Sequence, residues 1–548
     1  ISWGGFSSLQ VAARRPPALK AIITHCSTDD RYTDDAHYIG GCVVQDMFVW
    51  GSMFFTLQGY PPDPATLGVR WREMWMDRLK HNEYRVIDWM RHQTRDAFWK
   101  HGSIDEDYGD IVCPVYAIGG WTDAYNCAVP RMLAGLKAPH KGLIGPWSHF
   151  YPHEGVPGPA IGYLDEALRW WDHWLKDRDT GIMAEPMYRV WMEDKAACCG
   201  TLQVPGRWVA EDTWPSPRIA MQKRYLVADG LADRAGPEGK HVLAPRQTVG
   251  TTGGHWCPFN MPTELPLDQA ADDARSLAFE SAPLAADLEL LGAPVATLDL
   301  AVDRPVAALA LRLNEVEPDG RSTRVSYAVL NLTHRAGHEH PEALEPGKRY
   351  RIRIPLRDIA HSFKAGNRLR LAISTTYWPL IWPSPEPVTL TLFVGGSELD
   401  LPVRPPRPED ARLHPFAAPV VPADSGRTVI ETAPPQTKTF GWDVATGTLS
   451  IASEHGRGAA RLNAIGTTLA SAWKETSRIR DDDPLSPSLE HWRMQHFSRD
   501  DWDARVETTI RVSVSKDAFK IGGDLKAFEH DKEVFTRSWE ESVPRQLV

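Results

Sequence analysis

Disulfide frameworks, zinc ribbons and membrane-spanning helices each need residues that this chain does not supply. Its seven cysteines in 548 residues (Cys26, Cys42, Cys113, Cys127, Cys198, Cys199 and Cys257) are too few and too scattered for a disulfide scaffold. No C-x-x-C pair occurs, which removes the zinc-ribbon and thioredoxin-like readings, and nothing else points to a metal or cofactor. The longest apolar run, near Met47 to Leu57, is too short to cross a bilayer. Basic residues are outnumbered 61 to 71, for a net charge of −10, and they form no run, which argues against a nucleic-acid partner. There is no internal repeat and no low-complexity tract. The first residue is Ile1 rather than Met, so the expectation is the downstream part of a longer protein. The sequence is therefore silent about secretion, with the cytoplasm slightly favoured.

What is present is an ordinary globular composition, 42% hydrophobic and 24% charged, in a chain long enough for two to four domains. Tryptophan is abundant at 22 residues, most of them expected in the core. The most informative stretch is Ser2-Trp3-Gly4-Gly5, which reads as the second half of a G-x-S-x-G nucleophile elbow. That motif holds a serine on a strained strand-to-helix turn with its hydroxyl projecting into the active site. Four such residues also recur in ordinary turns. Their context adds weight: Phe6 to Arg14 reads as a short helix, and Leu19 to Cys26 as a buried parallel strand.

Two further apolar runs, at 114–118 and 141–144, lead into Gly119-Gly120-Trp121-Thr122-Asp123 and Gly145-Pro146-Trp147-Ser148-His149. Functional residues of open α/β sheets gather at the carboxyl ends of strands. Asp123 alone reads equally as a turn aspartate, and His149 as one of 20 histidines in a surface loop. Jointly, the order Ser2, Asp123, His149 is that of an α/β-hydrolase triad.

The chain resembles the cocaine esterase and X-Pro dipeptidyl-peptidase group of α/β-hydrolases, the CocE/NonD hydrolases. The likeness rests on SWGGF at 2–6, GGWTD at 119–123, GPWSH at 145–149 and RWWDHWLKD at 169–177. It continues in PDGRSTRVSYAVLNLTHR at 318–335 and HSFKAGNRLRLAISTTYWPLIWPSP at 361–385, so it spans residue 1 to about 403. The resemblance implies Ser2 as nucleophile, Asp123 as acid and His149 as base. His149 would take the serine proton and return it to the leaving group, while Asp123 holds the imidazole tautomer. The backbone N–H of Trp3 would serve the oxyanion. A second donor, a tyrosine hydroxyl from an earlier loop, would lie upstream of Ile1.

The expected fold is an α/β hydrolase, partial and missing its first strands, over residues 1–200, with a helical cap at 34–108. Within that cap, helices are predicted at 44–57, 66–80 and 84–100, and Leu67, Trp71, Met74, Trp75 and Leu79 share a face that either packs in the core or lines a substrate pocket. Residues 164–176 are predicted as a closing helix that presents Leu164, Leu168, Trp171 and Leu175 on one face. An all-β sandwich is expected at 205–403, with strands at 296–302, 308–316, 323–332, 349–356, 368–374 and 388–393 and a hairpin turn at Asp319-Gly320. The resemblance implies that this sandwich is a jelly roll. Residues 404–548 read as a proline-rich strap and a β-rich C-terminal extension, with strands at 428–432, 448–453, 490–497 and 505–514. Asn331-Leu332-Thr333 fits a glycosylation sequon within a predicted strand.

The leading functional expectation is a serine hydrolase of carboxylic esters acting on a small ester or short peptide. An X-Pro dipeptidyl-peptidase or an α-amino-acid ester hydrolase is the alternative within the enzymes, and an inactive hydrolase remnant carrying a β-sandwich binding module the alternative outside them. Trp121 and Trp147 are candidate pocket walls. Asp29 and Asp30, in the run from Thr28 to Asp35, are candidates for binding an α-amine, or else a solvated loop paired with Arg31. Assembly into a homo-oligomer is left open. Without preceding strands, the apolar edge at Leu19 to Cys26 is expected to make the chain poorly soluble and nearly inactive.

Overall fold

A computed structural model describes residues 1–423 and 426–548. Four parallel strands form the first half of its main sheet, in the order Ile22–His25, Val115–Gly120, His140–Gly145 and Tyr188–Glu193. They are short apolar runs buried on both faces, as a helix-covered parallel sheet demands. Trp3–Ala13 and Ala128–Gly135 cover them, with Leu9, Ala12, Val129, Met132 and Leu133 in the shared core. The strand Ile22–His25 ends the sheet, paired on one side only among the described residues.

The closing helix runs Tyr163–Lys176, but the face read from its sequence is not the buried one. Tyr163, Glu166 and Trp170 point inward, while Leu164, Leu168 and Leu175 are about half exposed. The inward face is an aromatic one with a single carboxylate on it, Glu166, which accepts from the Tyr116 hydroxyl and from Arg169. Periodicity alone could not separate the two.

The parallel strands run without a break into the β-domain. Tyr188–Glu193 pairs with Gly206–Glu211 and, at His361 opposite Glu193, with Ile359–Phe363. A second sheet of four strands, Leu277–Glu280, Arg368–Ser374, Ala308–Val316 and Ser322–Asn331, closes a two-sheet sandwich over a leucine- and isoleucine-rich core. The turn at Asp319-Gly320 joins the last two, and Gly320 takes a φ of 92° that its missing side chain permits. Asn331 is buried; its side-chain amide donates to the Leu547 carbonyl at 2.7 Å, so the sequon is occupied by a packing role.

Residues 404–416 lie along the hydrolase half. Arg404 is fully buried there between Glu211 and Asp410, each 2.8 Å away. Beyond them the C-terminal extension forms an eight-stranded antiparallel sheet of its own, much of it in strands of 12–17 residues from Thr448 to Pro544. It does not extend the sandwich. It lies against the helices inserted between Ile22–His25 and Val115–Gly120. Thr56 and Thr508 hydroxyls meet at 2.7 Å, and Ser52 and His491 at 2.9 Å. Trp75, Leu79, Phe55 and Val86 share one hydrophobic cluster with Val506, Ile510, Phe519 and Leu525. The Trp71–Lys80 helix is thus core packing, with Trp71 edge-on to Trp502.

Candidate active site

Ser2 occupies a tight turn beside the end of the strand Ile22–His25. Its φ of 55° and ψ of −126° put a non-glycine residue in a strained region that costs on the order of 1–3 kcal/mol. Its amide donates to the His25 carbonyl at 2.8 Å, tying the turn to the strand end, and the helix Trp3–Ala13 starts at the next residue. The Ser2 side chain caps no helix N–H, so its hydroxyl is free to face the cavity. Gly5 is where the helix presses on the strand: a Cβ there would lie 2.9 Å from the His25 carbonyl oxygen and 3.0 Å from the Ser27 Cβ. Gly4 has open space around it. No backbone acceptor takes the Trp3 N–H among the described residues, as a first-turn helix donor allows.

The strand ends after Val115–Gly120 and His140–Gly145 are locked together. Trp121 N–H donates to the Gly145 carbonyl at 2.8 Å, and a Cβ on Gly120 would sit 1.9 Å from the Trp147 carbonyl oxygen. That approach explains why glycine precedes Trp121. It brings His149 Nδ1 to 2.8 Å from Asp123 Oδ1, both side chains almost fully buried. The N–H at Nδ1 donates to the carboxylate, which leaves Nε2 toward the cavity that Ser2 also lines. No hydrogen bond joins the Ser2 hydroxyl to His149 among the described residues, and hydrolase sites without substrate are often loose at this contact.

Cys26 is a neighbour the sequence did not signal. Its backbone is left-handed, with φ of 47°, and its sulfur, an Asp123 oxygen and a His149 ring nitrogen all lie within 4.8 Å of one another. Burial, reinforced by the Asp123 charge, pushes the thiol well above its ordinary range, so it stays protonated and can donate to the carboxylate.

The cavity holding Ser2 and His149 has a volume of about 280 Å³. Tyr125, Trp256 and Phe259 form its wall beside His149, with the Phe259 ring edge-on at 4.8 Å. Val49, Trp50 and Met53 of the Gln45–Gln58 helix roof it. The tryptophan and methionine that the inserted helices bring to the cavity thus come from Gln45–Gln58 and not from the helix Trp71–Lys80.

The sequence-predicted pocket residues lie elsewhere. Trp147 is fully buried, its ring against Gly145 and Gly155 and its N–H on the Pro159 carbonyl at 2.8 Å. Trp121 donates to the Trp191 carbonyl and borders a separate polar space behind Asp123. Asp29 and Asp30 do not present free carboxylates. Asp29 accepts from Arg131 and from the Tyr108 hydroxyl, and Asp30 pairs with Arg95. Asp34 is held by Arg131 and Arg357, and Asp35 by Arg31 and His37. Burial would raise the Asp34 carboxyl, but Arg357 and Arg131 outweigh it and hold the group below its usual range. Every carboxylate in the run already has an arginine partner, supplied by residues up to 323 positions away, which local sequence could not reveal.

The opposite wall comes from the C-terminal sheet. Lys438, Ile451, Ser453, Trp473, Glu475 and Arg493 reach the same cavity as Ser2 and His149. Glu475 accepts from the Gln45 amide at 2.8 Å, and His255 lies 3.5 Å from Asp46. Burial raises the carboxyls of both Glu475 and Asp46.

Two family models match: X-Pro dipeptidyl-peptidase (S15 family) over residues 1–151, and the X-Pro dipeptidyl-peptidase C-terminal non-catalytic domain over 180–402. A Mycobacterium bovis protein assigned by name as a serine esterase is 28% identical over 298 residues, covering 47% of this chain and 44% of its own length. The chain thus spans less than half of that relative. The cocaine esterase of Rhodococcus sp. (strain MB1 Bresler) is 22% identical, with 69% of this chain and 72% of the esterase covered. Among solved structures, a CocE/NonD family hydrolase from Staphylococcus aureus superposes with a TM-score of 0.55 at 16% identity, covering 74% of this chain and 70% of that one. The fold is that of an α/β hydrolase followed by a β-rich domain.

Proposed function

The chain belongs to the CocE/NonD family of hydrolases, and from that premise we propose that it cleaves carboxylic esters through an acyl-enzyme formed on Ser2. The observation that carries the reading is the Asp123–His149 pair at 2.8 Å opening onto the cavity that the strained Ser2 turn also lines. His149 Nε2 removes the Ser2 proton as the hydroxyl adds to the acyl carbon. It then delivers that proton to the leaving alcohol, and water repeats the sequence to release the acid. Asp123 fixes the imidazole and stabilises its cation. The free Trp3 N–H supplies one oxyanion donor, typically worth about 3–4 kcal/mol in the transition state. The aromatic and methionine lining suits an apolar acyl or leaving group. In this reading the two-sheet sandwich is the family's jelly roll and serves as support.

An X-Pro dipeptidyl-peptidase or an α-amino-acid ester hydrolase must hold a free α-amine, and the arginine pairing of Asp29, Asp30, Asp34 and Asp35 removes the carboxylates first considered for it. An inert remnant has no need of a strained serine with an uncommitted hydroxyl, so the third reading is the least economical. The test is p-nitrophenyl acetate hydrolysis together with labelling by a fluorophosphonate, located by mass spectrometry. The expected label is on Ser2, and both label and turnover vanish in Ser2→Ala and His149→Ala. Undiminished turnover in Ser2→Ala would remove the nucleophile assignment.

A further inference from the structure

The charge of Arg493 goes unanswered by the protein around it. The residue lies mid-strand in Asp483–Arg499, opposite Trp473 on one neighbouring strand and Thr508 on the other. Among the described residues its guanidinium makes no hydrogen bond and no ion pair, and the neutral Tyr60 hydroxyl is the titratable group beside it. Its nitrogens are not sealed in the core, unlike those of Arg312, and the side chain lines the cavity with Ser2 and His149. Arg189 and Arg545, the other enclosed arginines without a carboxylate, each keep a backbone acceptor and an aromatic ring, and three more are held by acids or amides. Arg357 holds Asp34 and Asn126, Arg131 holds Asp29 and Asp34, and Arg404 holds Glu211 and Asp410. A guanidinium with five donors, no acceptor and restricted access to water calls for an anion.

The cavity's own acids do not supply it. Asp46, Glu264 and Glu475 surround His255, with Lys438 beside Glu475. Glu475 accepts from Gln45, and Glu264 from the Phe259 amide at 3.2 Å. Arg493 stands apart from that group, beside His491, which burial keeps neutral, and the stacked ring of Trp473. At its Arg493 end the wall thus offers the Trp473 ring and a planar cation, apart from the acids grouped around His255.

We propose that the cavity takes substrates bearing a carboxylate remote from the scissile bond, and that Arg493 receives this carboxylate through paired N–H donors. A specificity-determining residue of the Ser2 site therefore comes from the C-terminal sheet, outside both matched family models. The proposal rests on the hydrolase reading for the scissile bond, but not for the anion.

Two series of esters test it. On the acyl side, p-nitrophenyl monoesters of succinic, glutaric and adipic acids are compared with the neutral butyrate, valerate and hexanoate. On the leaving side, 4-acetoxybenzoate is compared with 4-acetoxybenzamide. The expected result is a kcat/KM at least tenfold higher for the anionic member in one series. That ratio should fall at least tenfold in Arg493→Met and be partly kept in Arg493→Lys, with melting midpoints verifying that each variant folds. Ratios at or below one in both series, or a ratio unchanged in Arg493→Met, would overturn the proposal. Calorimetric binding of glutarate to the Ser2→Ala protein separates the two readings. Glutarate binding that disappears with Arg493→Met, without any ester turnover in the parent, would keep the anion site and remove the hydrolase. Turnover of neutral esters without Arg493-dependent glutarate binding would do the reverse.

Discussion

The wall that carries Ser2, Asp123 and His149 is made of three tight strand-end turns, whereas the wall facing it is made of the middles of long antiparallel strands. The first places each side chain by a backbone constraint: a left-handed Ser2, a Gly120 with no room for a Cβ, a Gly5 pressed on His25. The second places Trp473, Glu475 and Arg493 by strand register, and neighbouring register positions would suit other side chains equally well. Under the proposed mechanism, chemistry that must be exact to a fraction of an ångström sits on the constrained wall, and features that need only shape and charge sit on the permissive one. Substitutions on the first wall should therefore change kcat, and those on the second should change KM or stability.

The largest effect expected from this contrast is at Asp123. Asp123→Asn keeps the shape of the pair but holds the imidazole in the wrong tautomer, and a loss in kcat on the order of 10³–10⁴ follows, with KM little changed. Steady-state kinetics on p-nitrophenyl acetate at pH 7–8 decide it. A loss under tenfold would mean that His149 is oriented by something else, with the Cys26 thiol the first neighbour to substitute next.

How far each wall could be read in advance follows from the same contrast. Ser2, Asp123 and His149 stood out as candidates because the tight turns that carry them demand glycine, and the structure brings Ser2 and the Asp123–His149 pair to one cavity. The strands Ala308–Val316 and Arg368–Ser374 were legible to the residue, since both alternate apolar residues with others, although the first is buried along its whole length. Strands Thr467–Arg480 and Lys532–Pro544 were not, because they mix small, charged and aromatic residues without clean alternation. Their partners are long-range, and the cavity positions on them depend on a sheet that only the folded chain defines. The acidic run from Asp29 to Asp35 misled for a related reason. Its arginine partners lie at 31, 95, 131 and 357, and only the first is local. The half-exposed leucines of Tyr163–Lys176 show the limit of periodicity, which finds a stripe but not the side it faces.

A middling effect is expected at Trp473. Its ring stacks near His455 and His491 across neighbouring strands and lines the cavity with no ring contact to His149. Trp473→Ala opens that wall, so KM for an aromatic or long-chain ester should rise about tenfold, the size of a lost aromatic contact of roughly 1.4 kcal/mol, while kcat stays within twofold. A fall in kcat with KM constant would mean that the C-terminal wall positions the catalytic groups as well as the substrate, and the division between the walls would fail.

The smallest effect is a pH-dependent gain in stability at Glu475. Burial is the main cause that lifts this carboxyl above its usual range, with Asp46 adding to it and His255 opposing. In the unfolded chain a glutamate ionises near 4.3. Between that value and its raised folded value the folded protein keeps a proton that the unfolded chain has lost, so this group favours unfolding increasingly as pH rises through the window. Glu475→Gln removes the titration and keeps an acceptor for the Gln45 amide that Glu475 engages at 2.8 Å. The variant should therefore melt at the parent's temperature at pH 4, below the window, and a few degrees above it at pH 8. Thermal unfolding of both proteins across that range measures it. A variant that is less stable than its parent at pH 8 would show that Glu475 is held ionised, by His255 or Lys438, and the C-terminal wall would then present a fixed negative charge to the substrate as well as the positive one of Arg493.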